Sequence, residues 1–130
     1  MAEMSNYLEN ALLNATLNAT TYTAPATVYV SLWTSNPGDD GSGTEVSGGS
    51  YARTAVSFAT ASGTSGNVLN DADVTFPTAT ASWGTVGWIG INDASTSGNL
   101  LYHTPLDTSK TIDSGDIFKI SSGNLSVTLA

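Results

Sequence analysis

The chain contains no cysteine, which excludes disulfide bonds, a thiolate nucleophile and a zinc site built from cysteine ligands. It has a single histidine, His103, and no apolar run near the roughly 20 residues needed to span a bilayer. The first residues lack the basic and apolar regions of a signal peptide, which predicts a soluble chain made in a cytoplasm. The fold is therefore expected to depend on packing and hydrogen bonds alone.

Positive charge is also scarce. Eleven acidic residues stand against three basic ones, Arg53, Lys110 and Lys119, and the net charge is -8. Nucleic-acid binding requires several cations that replace condensed counterions, and three scattered ones do not suffice. Attraction to an anionic membrane surface fails for the same reason. Nucleic acid and membranes are therefore excluded as partners, whereas basic protein surfaces are not.

The N-terminal region has the pattern of an amphipathic helix over residues 5–19. Ser5 can cap it, and apolar residues recur at i, i+3, i+4 and i+7. This stripe consists of Leu8, Ala11, Leu12 and Ala15. Leu13 and Leu17 form a second apolar row beside a polar face of asparagines. A helix of about 15 residues is marginal alone in water, so it must dock on the domain or on a neighbouring subunit.

From Ala26 onward the period changes to two, which is typical of β-strands. Val28, Val30 and Leu32 would face one side of the first strand, with Tyr29, Ser31 and Trp33 on the other. Further strands are predicted near residues 51–59, 68–69, 74–76, 84–91, 100–103, 117–120 and 125–129. This pattern predicts a mainly β fold, an antiparallel β-sandwich or jelly-roll-like body of about eight strands with one N-terminal α-helix. Residues 1–24 would form a helical arm and residues 25–130 the β-sandwich domain.

Four motifs occur in a characteristic order: Ser5–Asn14, Pro25–Thr34, Gly43–Arg53 and Val74–Pro77. In this order they resemble the small phage structural proteins that are usually called tail-fibre-like, and the resemblance covers roughly residues 5–129. It implies a virion component made in the host cytoplasm. Its partners would be other phage virion proteins, either the major capsid protein or tail proteins.

Catalytic motifs are incomplete. His103 lies in a predicted strand, and Gly48–Ala52 resembles a nucleophile elbow but lacks its final glycine. Asp71 and Asp73 would lie about 6.5–7 Å apart on one strand face, a separation that glycosidases use, but edge aspartates more often keep a strand soluble. The acidic loop Asp39–Glu45 matches no EF-hand spacing. The sequence predicts no catalytic residue, no cofactor and no bound metal, hence no enzyme.

The aromatic residues keep a sugar-binding module open as an outside alternative. Exposed aromatic side chains on a β-sandwich can stack on sugar rings, but tryptophan is enriched in protein interfaces as well. Trp88 lies among isoleucines and is expected in the core, whereas Trp33 is the best candidate for a surface contact.

Within the phage class two roles compete. A capsid decoration or cement protein would sit as a homotrimer over capsomer junctions, whereas a tail or tail-fibre component would contact the host. The chain has no coiled-coil heptads or long repeat of a fibre shaft, which favours decoration. The predicted assembly interface consists of Leu8, Leu12, Leu13, Leu17 and Trp33.

Overall fold

The computed structural model describes residues 2–129, which form nine strands and one helix. In chain order these are β1 (Glu3–Met4), α1 (Asn6–Leu17), β2 (Val28–Trp33), β3 (Thr54–Val56), β4 (Asn67–Leu69), β5 (Val74–Thr75), β6 (Gly84–Asn92), β7 (Leu100–Ile112), β8 (Lys119–Ile120) and β9 (Ser126–Thr128). The strand pairings among the described residues are antiparallel. The mainly β class with one N-terminal helix is confirmed.

The strands form one large sheet and two small ones. The five-stranded sheet has the order β1-β7-β6-β2-β3, while β4 pairs with β9 and β5 with β8. Strand β6 has apolar residues on both faces because it lies between β7 and β2, as its sequence predicted. Val30 lies opposite Ile91 and Trp33 opposite Trp88 in the β2–β6 register.

Side chains from all three sheets meet in one core. It includes Val30 and Leu32 from β2, Val86 from β6 and Val127 from β9. Phe76 lies at its centre, 2% exposed, with its ring 5.6 Å from Phe118 in an edge-to-face arrangement. Such aromatic pairs add to the free energy gained from burying their surface. The core therefore joins the small sheets to the large one.

The first strand was not predicted. Glu3 lies opposite His103 and Met4 opposite Tyr102, so the chain enters the large sheet before α1 begins. A two-residue strand has no period that a sequence could reveal. The division into an arm of residues 1–24 and a body of residues 25–130 remains a prediction, but residues 3–4 of that arm are part of the large sheet.

Strand β7 is longer than predicted and carries an irregularity. Val86 lies opposite Lys110 and Trp88 opposite Pro105, so residues 106–109 face the single residue Gly87. Bulges and proline interrupt the regular row of backbone donors and acceptors that another strand would use. This part of β7 lies at the edge of the large sheet, and its irregularity discourages edge-to-edge aggregation.

Gly90 on β6 is expected to tolerate no side chain. A Cβ atom there would lie 2.7 Å from both Leu100 Cδ1 and Ser31 Oγ, and 2.9 Å from Trp33 Nε1. Ser31 is fixed because its hydroxyl donates to Asn92 and accepts from the Trp33 indole. We expect Gly90→Ala to lower the free energy of unfolding by about 1–3 kcal/mol, the usual cost of overpacking a core. Urea denaturation measures this loss.

Gly87 provides the matched control on the same strand. A Cβ atom there would lie 3.6 Å from Ser109 Oγ, which is ordinary van der Waals contact. Gly87→Ala should therefore leave the urea midpoint unchanged or raise it slightly, since alanine restricts the unfolded chain. Equal losses in the two variants would contradict the steric explanation.

Candidate functional site

The N-terminal helix is anchored to the body at its first turn. Ser5 caps it: the side-chain oxygen accepts the amide N–H of Leu8 at 3.2 Å and donates to the carbonyl of Leu100. The Ser5 amide donates to Leu101 at 2.9 Å, and the Asn6 amide donates to the carbonyl of Asp39 at 2.9 Å. Both β7 and the loop that follows β2 therefore hold the start of α1 in place.

The two apolar rows of the helix have different environments. Leu8 is buried, with 4% of its surface exposed, and Ala11, Leu12 and Ala15 are half-buried. The stripe predicted from the sequence is thus the face that meets the body. Leu13 and Leu17 are 54% and 75% exposed, and they lie one turn apart near the C-terminal end of the helix. They form an apolar surface that the chain itself does not cover, which we call the Leu13–Leu17 patch.

The structure places two members of the predicted interface, Leu8 and Trp33, inside the chain. Leu8 packs within the chain because its position on the helix points to β7 rather than to solvent. Trp33 is 5% exposed, and its indole N–H donates to Ser31 Oγ at 2.8 Å. Burial along β2 does not alternate as the two-residue period predicted, because residues 30–33 are all buried and the strand is covered on both faces. Leu12, Leu13 and Leu17 remain predicted interface residues.

A second group of polar residues connects two loops through hydrogen bonds. Arg53 Nε and Nη2 each donate to one carboxylate oxygen of Glu45 at 2.8 Å, and the Tyr51 hydroxyl donates to the same carboxylate at 2.6 Å. Arg53 Nη1 also donates to the carbonyls of Ala94 and Ser97. We call Glu45, Tyr51 and Arg53 the Arg53 cluster. It ties the segment before β3 to the loop between β6 and β7.

The electrostatics of the Arg53 cluster fit a structural role. Burial and the hydrogen bond to Glu45 raise the pKa of Tyr51. The hydrogen bond to Glu45 raises the pKa of Arg53. Tyr51 therefore stays protonated and donates, while its oxygen accepts the Leu32 amide at 3.0 Å. A bidentate pair of this kind is among the stronger hydrogen-bonded contacts in proteins.

Sequence reasoning did not single out these three residues. They all fall within the motif Gly43–Arg53, which carried part of the family resemblance. The available signal was an acid and a base eight residues apart on either side of a Gly-Gly turn, in a chain with little charge. Nothing in that spacing shows that the two side chains are paired and covered.

A polar cleft of about 250 Å³ lies beside the helix start. Its lining includes the exposed Tyr7 together with Asn6, Asp40, Asn92 and Asn99. Hydrogen bonds from the side chain and backbone of Ser42 lower the pKa of Asp40, so the cleft keeps a carboxylate. Trp33 also borders it, but its buried ring offers no flat platform for stacking on a sugar.

A shallower groove of about 530 Å³ runs beside β7 and β8. It contains the half-exposed Ile117 and two of the three basic residues, Lys110 and Lys119. This groove is another surface with exposed apolar area, and it competes with the Leu13–Leu17 patch for any partner.

The residues that came nearest to a catalytic motif in the sequence contact different partners in the structure. Ser50 Oγ lies 3.0 Å from Thr80 Oγ1, whereas His103 Nε2 lies 2.9 Å from Asp39. The Ser122 amide donates to Asp73, and Lys119 lies 3.3 Å from it; both lower the pKa of Asp73. A general acid in a glycosidase needs a raised pKa instead. The absence of catalytic activity remains a prediction.

Among the residues that the structure describes, no helix is long and apolar enough to cross a membrane.

Comparison with known proteins gives one family. The family model described as Podophage GP4 fiber I protein gp80 matches residues 3–128, nearly the whole chain. No curated protein sequence matches the chain. The chain belongs to this family of phage virion structural proteins.

Proposed function

We propose that this member of the podophage fibre family is a subunit of a tail fibre, in which the Leu13–Leu17 patch joins copies of the chain or attaches them to the virion. The description of the family as a fibre protein supports this role over capsid decoration. The single structural observation that carries it is the pair of exposed leucines on a helix whose first turn is rigidly held. The non-enzymatic role expected from the sequence is part of this proposal.

The chemistry of the patch suits assembly. Fully burying a leucine side chain contributes about 1.5–3 kcal/mol, so two leucines from each of several chains give a substantial apolar contact. A homotrimer would bring six such side chains together around one axis, with Leu12 at the margin of the contact. Closed symmetry of this kind is usual for soluble oligomers.

The strongly acidic character of the chain supports a body that faces solvent. The chain has a net charge of -8, and like charges on neighbouring particles or fibres discourage them from sticking together. The same observation favours the second candidate, a capsid decoration protein present in high copy number. The small size and the lack of shaft repeats favour decoration as well. A sugar-binding module has less support, since the three tryptophans are buried or half-buried.

Quantitative proteomics of purified virions, combined with antibody labelling in electron micrographs, tests the proposal. A tail-fibre subunit should be present in a few to a few tens of copies, with label at the tail. Hundreds of copies and label over the head would overturn the fibre role in favour of decoration. Light scattering of the purified chain tests the trimer separately, and a stable monomer at micromolar concentration would contradict it.

A further inference from the structure

Three segments that are distant in sequence bring metal-ligating side chains together at the start of the N-terminal helix. Glu3 comes from β1, Asp39 from the loop after β2 and His103 from β7. His103 Nε2 lies 2.9 Å from Asp39 Oδ1 and 3.9 Å from Glu3 Oε2, and the three ligand atoms lie within 4.8 Å of one another. Ligands of a tetrahedral metal ion, each about 2.0–2.2 Å from it, are separated by roughly 3.4 Å. The separations of 2.9 Å and 3.9 Å lie on either side of this value, and an ion would replace the direct hydrogen bond between His103 and Asp39.

The three side chains are also suited to reach a common ion. The imidazole of His103 is fixed, since only 5% of it is exposed, whereas the side chains of Asp39 and Glu3 are 50% and 72% exposed. A buried histidine gives a rigid ligand, and two mobile carboxylates can adjust by small rotations without disturbing the core. Their exposed side leaves an entry path from solvent and room for a water ligand.

Charge gives a second, independent reason. With a neutral imidazole the three side chains carry two negative charges, and the basic residues lie elsewhere. Arg53 is paired with Glu45 and Lys119 with Asp73. Lys110 is opposite Val86 on β7, far along the strand from His103, which is opposite Gly90. A divalent cation would neutralise the two carboxylates, which pair with no basic side chain of the described residues other than His103 itself.

We propose that Glu3, Asp39 and His103 bind one divalent transition-metal ion of the zinc class. One imidazole and two carboxylates are ligands that Zn²⁺ accepts, whereas Ca²⁺ and Mg²⁺ prefer sites made of oxygen alone. Three protein ligands and one water complete a four-coordinate site. The ion links β1 and the loop at residue 39 to β7, and so fixes the segment from which α1 starts.

Nothing in the sequence alone indicates that these three residues meet. Asp39 was assigned to an acidic loop without a metal-binding pattern, and His103 to an isolated position in a strand. Their ligand spacing of 64 residues, with Glu3 a further 36 residues before Asp39, matches no local motif.

The test is isothermal titration of ZnCl₂ into the untagged, chelator-treated full chain at pH 7.5. We expect saturable binding of one ion per chain, and a melting temperature that rises with Zn²⁺ and returns on adding EDTA. Asp39→Asn and His103→Gln should each weaken binding at least tenfold. Asp107→Asn, an exposed carboxylate further along β7, serves as the matched control and should bind Zn²⁺ like the parent chain.

Two results would overturn the assignment. One is the absence of saturable Zn²⁺ binding by the parent chain up to millimolar concentration. The other is unchanged binding in Asp39→Asn, whose exposed side chain can be altered without unfolding the protein. Should His103→Gln fail to fold, the Asp39 and Glu3→Gln variants still decide the question. These measurements do not depend on whether the chain forms fibres.

Discussion

A chain carrying Leu13→Asp and Leu17→Asp is expected to fold normally and to lose the self-association that we propose for the parent chain. Both side chains are more than half exposed, so the substitutions remove little packing within the chain. Two added charges on each copy would have to be desolvated next to one another in an assembled contact, which costs far more than the leucines contribute. We expect the dissociation constant of the oligomer to rise at least a hundredfold, measured by light scattering or analytical ultracentrifugation.

Ile117→Asp is the matched control, because Ile117 has a comparable exposure of 56% but lies in the groove beside β8. This variant should assemble like the parent chain. If it dissociates the oligomer while the helix variant does not, the groove is the assembly surface and the helix proposal is wrong. Circular dichroism and thermal unfolding of both variants establish that any loss of assembly is not a loss of fold.

Among substitutions of a single charged residue, Arg53→Met is expected to lower the free energy of unfolding the most. It leaves the Glu45 carboxylate, whose side chain is only 21% exposed, without its cation and with the Tyr51 hydroxyl as a remaining donor. It also removes the donor to the Ala94 and Ser97 carbonyls. Removing one partner of a covered ion pair costs about 3 kcal/mol, at the lower end of the range because Glu45 keeps some contact with water. For a domain of this size we expect a fall in melting temperature of about 10 °C.

Lys119→Met provides the comparison for that experiment. Lys119 and Asp73 lie 3.3 Å apart, but their side chains are 49% and 51% exposed, so solvent screens their attraction. This variant should unfold at nearly the same temperature as the parent chain. A double variant of Glu45→Gln and Arg53→Met should recover part of the lost stability, because it no longer leaves an unpaired carboxylate. Losses that simply add would argue against a coupled Arg53 cluster.

Much of the fold was predictable because periodicity and turn chemistry act locally. The helix was expected at residues 5–19 and occurs at Asn6–Leu17, with Ser5 as its cap and the predicted stripe on its inner face. Strand β6 was expected to be central because Val86, Ile89 and Ile91 leave neither of its faces polar, and it lies between two neighbours. Predictions of this kind need only the residues within one element.

Other features could not be predicted from the sequence because they depend on contacts between distant segments. Trp33 was expected on the surface, since alternation along β2 placed it opposite the apolar face. The structure covers that face as well, and the hydrogen bonds from Trp33 to Ser31 and from Ser31 to Asn92 satisfy the polar groups there. The two-residue strand β1 and the bulge of β7 likewise have no local signal, because each exists only through its pairing partner.

By itself the sequence determined a mainly β, acidic, cysteine-free phage protein with a capped N-terminal helix carrying two apolar rows. Only the tertiary structure decided which row is buried, that Arg53 is held by Glu45 and Tyr51, and that Glu3, Asp39 and His103 meet. The physical reason is one of range. Helix caps, periods and turns involve residues a few positions apart, whereas burial, ion pairs and metal ligands depend on which distant segments fold against one another.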